Sequence, residues 1–227
     1  MMYIGPKFSA MMIVNLSEKN SLANEFLAEL RDVNRQQDKL KFRKNLERLG
    51  NIFAYEISKF LDYETRDVET PLGTAPTPLL KNRIVLATIL RAGLPLHQGL
   101  LNFLDQADNA FIASYRKHHK DGTFEINMEY VTCPDLNGAD LILVDPMLAT
   151  GASIQKAVES LSDYGTYRSL HIVSLIASSH GVRQIRRWYP KAFLWMAAED
   201  DELTAKSYIV PGLGDAGDLA FGIKLQE

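Results

Sequence analysis

The chain has 227 residues, 46% of them hydrophobic and 23% charged, with a formal net charge of −3. This composition excludes collagen-like, disordered and disulfide-rich secreted classes, and it lacks the basic balance of a nucleic-acid binder. A chain this long withdraws about 70% of its unfolded surface from water, enough for a full core built as one α/β domain or two small ones. The single cysteine, Cys133, leaves no partner for an intramolecular disulfide and no cysteine cluster for zinc. It agrees with a reducing cytoplasm. The longest apolar stretches, Ile84 to Leu90 and Ala192 to Ala198, fall far short of the ~20 residues of a membrane-spanning helix.

In chain order, Met1 to Leu16 reads as an initial strand or a leader extension, with no signal-peptide cleavage site. A helix is expected over Leu22 to Leu30. A second carries Phe42, Leu46, Leu49, Phe53, Ile57 and Phe60 at steps of three and four, which is one apolar stripe. Arg43, Lys44, Glu47, Arg48 and Glu56 fall on its wet side, and Gly50 weakens its interior. The segment Asp62 to Leu80 contains Pro71, Gly73, Pro76 and Pro78 and predicts a turn-rich connection. Ile84 to Leu90 then predicts a strand buried on both faces. A helix follows from Pro95 through Leu104, and a strand from Ala110 to Tyr115. Thr123 to Val131 alternates, with Phe124, Ile126, Met128 and Tyr130 on one side. It predicts a half-exposed strand, an arm paired antiparallel to its predecessor through a turn at Asp121-Gly122. Then come a strand at Leu141 to Val144, a helix with Ile154, Ala157, Val158 and Leu161 inward, a strand at Leu170 to Ala177, a short helix at Gly181 to Trp188 and a strand at Phe193 to Ala197. Alternating strands and helices mean a parallel sheet covered by helices.

In such sheets ligands bind beyond the carboxyl ends of the strands. The string after one strand end is Asp145-Pro146-Met147-Leu148-Ala149-Thr150-Gly151-Ala152-Ser153. Small residues admit an anion to the backbone N–H groups, the helix N-terminus adds donors, and Thr150 and Ser153 add hydroxyls. Asp145 would accept from sugar hydroxyls or meet a magnesium ion through water. Taken alone, Gly151 as a turn and Ser153 as a helix cap would explain the tail of this string. The whole string favours phosphate. A second loop, Leu90-Arg91-Ala92-Gly93-Leu94-Pro95, places a guanidinium at a strand end, which suits a bidentate phosphate contact. The C-terminal string Tyr208-Ile209-Val210-Pro211-Gly212-Leu213-Gly214-Asp215-Ala216-Gly217-Asp218 matches G-x-G-x-x-G. Only ten residues remain after Gly217, too few for a dinucleotide unit. It reads instead as a rigid loop whose backbone reads a flat ligand such as a nucleobase. Glu199 to Glu202 read as solvated loop carboxylates, His118 and His119 as exposed turn residues, and Arg183, Arg186 and Arg187 as the outer face of a helix.

These strings resemble the uracil phosphoribosyltransferases. Asp145 to Ser153 is similar to their phosphoribosyl pyrophosphate signature, Ile89 to Leu94 to their pyrophosphate-contact loop, and Tyr208 to Asp218 to their uracil loop. The stretch from Leu30-Arg31-Asp32 through Tyr55-Glu56 fits their N-terminal region. The resemblance runs in order from Met12 to the end. It implies a parallel-sheet phosphoribosyltransferase-type α/β fold with a helical N-terminal region and a β-arm. Residues 1–11 would be an extension and 12–227 one phosphoribosyltransferase domain.

The implied reaction transfers phosphoribosyl from 5-phospho-α-D-ribose 1-diphosphate to N1 of uracil, giving UMP and diphosphate in pyrimidine salvage. Arg91, Asp145 and Asp215 would be the catalytic set. Arg91 and Arg116 would contact donor phosphates, Asp145 the ribose hydroxyls, and Ala149 to Ser153 the 5-phosphate. Asp215 would lie between base and donor. Tyr208, Ile209, Gly214, Asp215 and Ala216 would form the uracil site, with Ile209, Gly214 and Ala216 acting through the backbone. Magnesium would arrive on the donor with no direct protein ligand. The expected partners are these small molecules and a second copy of the chain, with no nucleic acid and no membrane. Three positions depart from the family pattern: Arg116 is followed by Lys117, His118 and His119 rather than acids, Ala152 replaces a glycine, and Leu219 replaces a basic residue. The first keeps open an alternative, an inactive relative that binds uracil or the donor and regulates a partner.

Overall fold

The computed structural model describes residues 11–118 and 124–225, with the backbone alone for 114–118 and 124–129. The chain runs β1 (Met12–Asn15), α1 (Leu22–Arg31), α2 (Lys39–Ser58), β2 (Tyr63–Thr70), β3 (Gly73–Leu80), β4 (Ile84–Leu90), α3 (Leu94–Leu101), β5 (Asp108–His118) and β6 (Phe124–Thr132). It continues through β7 (Asp140–Val144), β8 (Met147–Leu148), α4 (Ala152–Leu161), β9 (Ser169–Ser178), α5 (Ser179–Trp188), β10 (Phe193–Asp200), β11 (Glu202–Leu203), β12 (Ile209–Val210) and α6 (Ala216–Phe221). The main sheet has the order β1-β10-β9-β7-β4-β5-β6, with β8 joined to β9. Every pairing is parallel except β5 with β6, which run antiparallel.

Alternation along the central strands assigns the two faces. Ile84 and Leu86 of β4, with Ile142 and Val144 of β7, enter the layer built by α1, α2, α3 and α6. Val85, Ala87 and Ile89, with Leu141 and Leu143, enter the layer built by α4 and α5. Helix starts are set locally: the Ser21 hydroxyl accepts from the N–H of Ala23 at 3.2 Å, and the Asp38 carboxylate from that of Lys41 at 3.0 Å. The α2 stripe is buried from Phe42 to Ile57. Phe60 lies past the helix end and is 38% exposed, but its ring meets that of Trp195 at 5.4 Å.

Two expectations need correcting here. The segment after α2 is a hairpin, β2 with β3, rather than a turn-rich connection. The N–H of Lys81 donates to Asp62 at 2.9 Å, so the odd-numbered residues of β3 bond to β2. Pro76 and Pro78 fall on the other parity, where a missing N–H breaks no pairing. Gly50 does not weaken α2 but lets α3 approach it. A Cβ there would lie 2.3 Å from the Leu96 carbonyl oxygen, and one at Gly99 would lie 2.0 Å from that of Glu47. The arm β5–β6 matches the expected antiparallel pair. Its turn at Asp121-Gly122, and the side-chain faces of Thr123 to Glu129, lie outside the described residues.

At the opposite end of the sheet from the strands' carboxyl ends, His171 on β9 stacks on Phe193, with ring centroids 4.4 Å apart. Trp195 Nε1 donates to its Nδ1 at 3.2 Å, so the neutral ring carries its proton on Nε2, which faces the Ser169 hydroxyl at 3.2 Å. Ser169 in turn donates to Asp140. Burial, the largest influence, pushes the His171 pKa down to about 4, against an opposing pull from Asp140. The unfolded chain, with a pKa near ~6.5, therefore takes up this proton first as pH falls. Stability is full above about pH 6.5 and drains by about 3 kcal/mol as pH drops toward about 4. Urea midpoints measured from pH 7 to 5, above the range where most carboxylates titrate, should fall in the parent and stay flatter in His171→Gln. Equal slopes would remove His171 as the cause.

Candidate active site

β4 leads to β5 on one side, whereas β7, its neighbour on the other side, leads to β9 away from it. The strand order thus reverses between β4 and β7, the place where open α/β sheets bind ligands, beyond the strands' carboxyl ends. Both loops expected to hold phosphate begin there. The arginine loop sits against both strand ends: a Cβ on Gly93 would lie 2.2 Å from the Thr88 hydroxyl of β4 and 3.1 Å from the carbonyl oxygen of Val144, the residue before Asp145. Only glycine lets the arginine loop sit this low on the two strand ends.

The loop from Asp145 is anchored through its backbone. The Asp145 N–H donates to Val173 at 3.1 Å, and its carbonyl accepts from the Ser174 hydroxyl at 2.7 Å. The Pro146 carbonyl accepts from the N–H groups of Leu175 and Ile176, and that of Ala149 from the Ser178 hydroxyl at 2.5 Å. Met147 and Leu148 form β8, so this stretch is partly strand, and the Leu148 side chain is buried in the core. The cap of α4 is Gly151, at φ 84°, with no side-chain cap bond. Ser153 lies inside the helix, so the simple-cap explanation of the string fails. The first-turn N–H groups face the loop without a capping side chain, apart from a long 3.4 Å bond from Ala152 to Thr150.

The Leu90–Arg91 and Val210–Pro211 peptides are cis. Arg91 donates to Asp218 at 3.1 Å and to the Gly222 carbonyl at 3.4 Å. Asp215 caps α6, accepting from the N–H of Asp218 at 3.0 Å. Lys224 pairs with Asp215 at 2.9 Å and Asp218 at 3.3 Å. Burial raises the Asp215 pKa, but Lys224 and the α6 N–H groups outweigh it and hold the carboxyl below the usual carboxylate range. Lys224 is likewise held charged: burial lowers it, and the two carboxylates outweigh burial. Gly217 packs the start of α6 on the arginine loop, a Cβ there lying 3.8 Å from Ala92.

The structure thus brings Arg91, Asp215 and the base loop together, with Val144, the residue that leads into the Asp145 loop, beneath Gly93. Arg116 lies on β5, and its side chain, like those of Lys117 and His118, is outside the described residues, as is His119. The base loop is held at its base by β12 paired with β11. Ile209 is buried, Tyr208 is 43% exposed, and Gly214 takes φ 95°. α6 ends after six residues, so the G-x-G-x-x-G match has no dinucleotide unit around it.

Glu199 to Glu202 are not a uniformly solvated run: Asp200, at the end of β10, is 7% exposed and paired with Arg31. Sequence reading missed Arg31, Asp200 and Lys224 as site residues. Lys224 lies six residues past the motif. Arg31 and Asp200 lie 169 positions apart, a separation at which no local pattern signals contact.

A mainly parallel α/β sheet whose acid-led anion loop and arginine loop meet at the point of strand reversal has the architecture of a phosphoribosyltransferase. A family model described as uracil phosphoribosyltransferase matches residues 17–223. A uracil phosphoribosyltransferase of Porphyromonas gingivalis is 48% identical over 216 residues, spanning 95% of this chain and 100% of its own. One from Thermococcus gammatolerans is 39% identical over 212 residues, spanning 92% and 93%. Among solved structures, the AQ2163 protein from Aquifex aeolicus superposes with a TM-score of 0.83 at 30% identity, over 95% of this chain and 100% of that one. The chain belongs to the uracil phosphoribosyltransferase family.

Proposed function

We propose that the chain transfers the phosphoribosyl group of 5-phospho-α-D-ribose 1-diphosphate to N1 of uracil, in pyrimidine salvage. The observation that carries this is the meeting of three loops, from Arg91, Asp145 and Ile209, at one strand reversal. In the reaction the bond from ribose C1 to the diphosphate oxygen breaks, a bond from C1 to uracil N1 forms, and the N1 proton is released. The first turn of α4 holds the 5-phosphate on backbone N–H groups, and Asp145 accepts from the ribose hydroxyls. Arg91, with Arg116, takes the diphosphate and stabilises its growing charge. The base loop reads uracil through fixed backbone groups at Ile209, Gly214 and Ala216, and so orients N1 toward C1. Asp215 stays anionic at neutral pH, so it favours the positive character developing at C1 and does not serve as a proton donor.

Magnesium enters with the donor. Magnesium would be held by the donor's own phosphate oxygens and by water, since among the described residues no group of three or more His, Cys, Asp or Glu side chains is placed to hold a metal. When bound, the metal supplies neutralisation of the leaving diphosphate. We place the enzyme in the cytoplasm as a homodimer or larger homo-oligomer. Cys133, the single cysteine, fits a reducing compartment; burial pushes its thiol up to about 11, which leaves it out of the chemistry. No helix among the described residues is long and apolar enough to cross a membrane. Exposed Leu72, Val68 and Leu79 on the β2–β3 hairpin support burial against another copy.

Purified chain with donor and magnesium should release diphosphate and form UMP from uracil, and turn over poorly with cytosine, hypoxanthine and orotate. Absence of turnover with all four bases would reject the assignment. Calorimetric binding without turnover would favour the regulatory alternative.

A further inference from the structure

The N-terminal helix α1 lies outside the strand-end loops, yet its last residue is tied to the base loop. Arg31 donates from Nη1 to Asp200 Oδ2 at 2.8 Å and from Nη2 to Asp200 Oδ1 at 2.7 Å. The same Nη1 donates to the Gly212 carbonyl at 2.9 Å. Asp200 Oδ2 accepts from the Gly212 N–H at 2.8 Å. Both backbone groups of one loop residue are therefore held by a single ion pair. A few residues on, the Gln36 amide, oriented by its hydrogen-bond partners, donates to the Leu213 carbonyl at 2.9 Å. Gly212 itself sits in a tight turn, where a Cβ would lie 2.1 Å from the Ile209 carbonyl oxygen.

An ion pair buried to this degree adds little net stability over an apolar pair of similar volume, because Asp200 is taken out of water and Arg31 largely so. Its geometric output is more specific. The Arg31–Asp200 pair spans α1 and β10, and its remaining hydrogen bonds end on Gly212, between Ile209 and Gly214. Those two positions read the base by backbone alone. A backbone reader has no side chain to re-aim, so its accuracy depends on where the loop is held.

We propose that Arg31 and Asp200 are positioning residues for uracil: they hold the base-reading loop in register from behind and set base affinity without touching substrate. This rests on the uracil phosphoribosyltransferase reading of the site. The anion loop is anchored by other contacts, the Asp145 N–H on Val173 and the Asp145 carbonyl on Ser174 of β9. Loss of the clamp therefore acts on uracil and spares the donor.

The test uses Arg31→Ala, Arg31→Lys and Asp200→Asn in the full chain, with Arg35→Ala, an exposed neighbour, as control. Losing charge-assisted bonds to a buried partner should raise the uracil KM by about tenfold or more, with the donor KM within about twofold. Arg31→Lys keeps the charge but lacks the fork, so it should recover part of the loss. Hydrogen exchange read in parallel should speed up at residues 209–214 and stay unchanged along β7 and β9. Uracil and donor KM values that move together, or exchange that speeds throughout the chain, would reduce the pair to a general structural role and overturn the proposal. So would an unchanged uracil KM. If the parent turns over no base, the functional reading fails by itself. Exchange confined to 209–214 then still upholds the clamp, and unchanged exchange rejects it.

Discussion

Arg91→Ala is expected to lower kcat/KM for the donor by about 100-fold, the size of effect seen when a preorganised donor to a developing charge is removed. The guanidinium sits at the end of β4, and its partners are few and open to exchange: one carboxylate oxygen of Asp218 and a long bond to the Gly222 carbonyl. It is 44% exposed as a side chain. A surface pair of this kind contributes at most about 1 kcal/mol to folding, so the melting temperature should move by no more than about 4 °C. The uracil KM should change less than the donor KM, because Gly212 in the base loop keeps its bonds to Arg31 and Asp200. Arg91→Lys should recover part of the loss, since a point charge remains but the bidentate fork does not. Steady-state rates of diphosphate release at varied donor, with melting curves on the same samples, decide the matter. An Arg91→Ala enzyme with parental donor kinetics would remove Arg91 from the site. A collapse in stability matching the loss of rate would make its role structural.

Gly50→Leu should be the most damaging single change to the fold. At the crossing of α2 and α3 the two glycines bring backbone to backbone, with Gly99 Cα only 2.8 Å from where a Gly50 Cβ would stand. The nearest obstacle is a main-chain carbonyl, so no side-chain rotation relieves the clash. Overpacking against backbone costs about 3 kcal/mol or more, which lowers the melting temperature by roughly 6–12 °C in a chain of this size. Lys44→Leu on the exposed face of the same helix should shift it far less, within about 0.5 kcal/mol. Thermal melts of the two variants separate the packing explanation from helix propensity. If Gly50→Leu melted with the parent, the close approach would not be a feature of the folded protein in solution.

The same glycine shows how sequence and structure divide the work. In the sequence Gly50 is only a poor helix former inside an apolar stripe, because propensity is a property of one residue and its neighbours. Its value lies in the distance to Leu96, a contact with a second helix. Pro76 and Pro78 are a parallel case. They argue for a loop until the register of β2 against β3 places both on the parity that needs no N–H. Ser153 could pass for a cap until Gly151 is seen to cap α4. Asp200 could pass for one of four solvated acids until Arg31 closes on it.

The residue order alone determined the parts that depend on short range. Apolar runs such as Ile84 to Leu90 and Leu141 to Val144 mark strands covered on both faces, since they are short and rich in β-branched residues. The anion loop, the arginine loop and the base loop are contiguous strings, so their chemistry is written in consecutive residues. Folding supplied the arrangement: the reversal between β4 and β7 that joins two loops, the return of Asp218 and Lys224 to Arg91 and Asp215, and the clamp of α1 on Gly212. These contacts join residues far apart in the chain. Their energies depend on burial, direction and the absence of a Cβ, and those quantities exist only once the layers have packed.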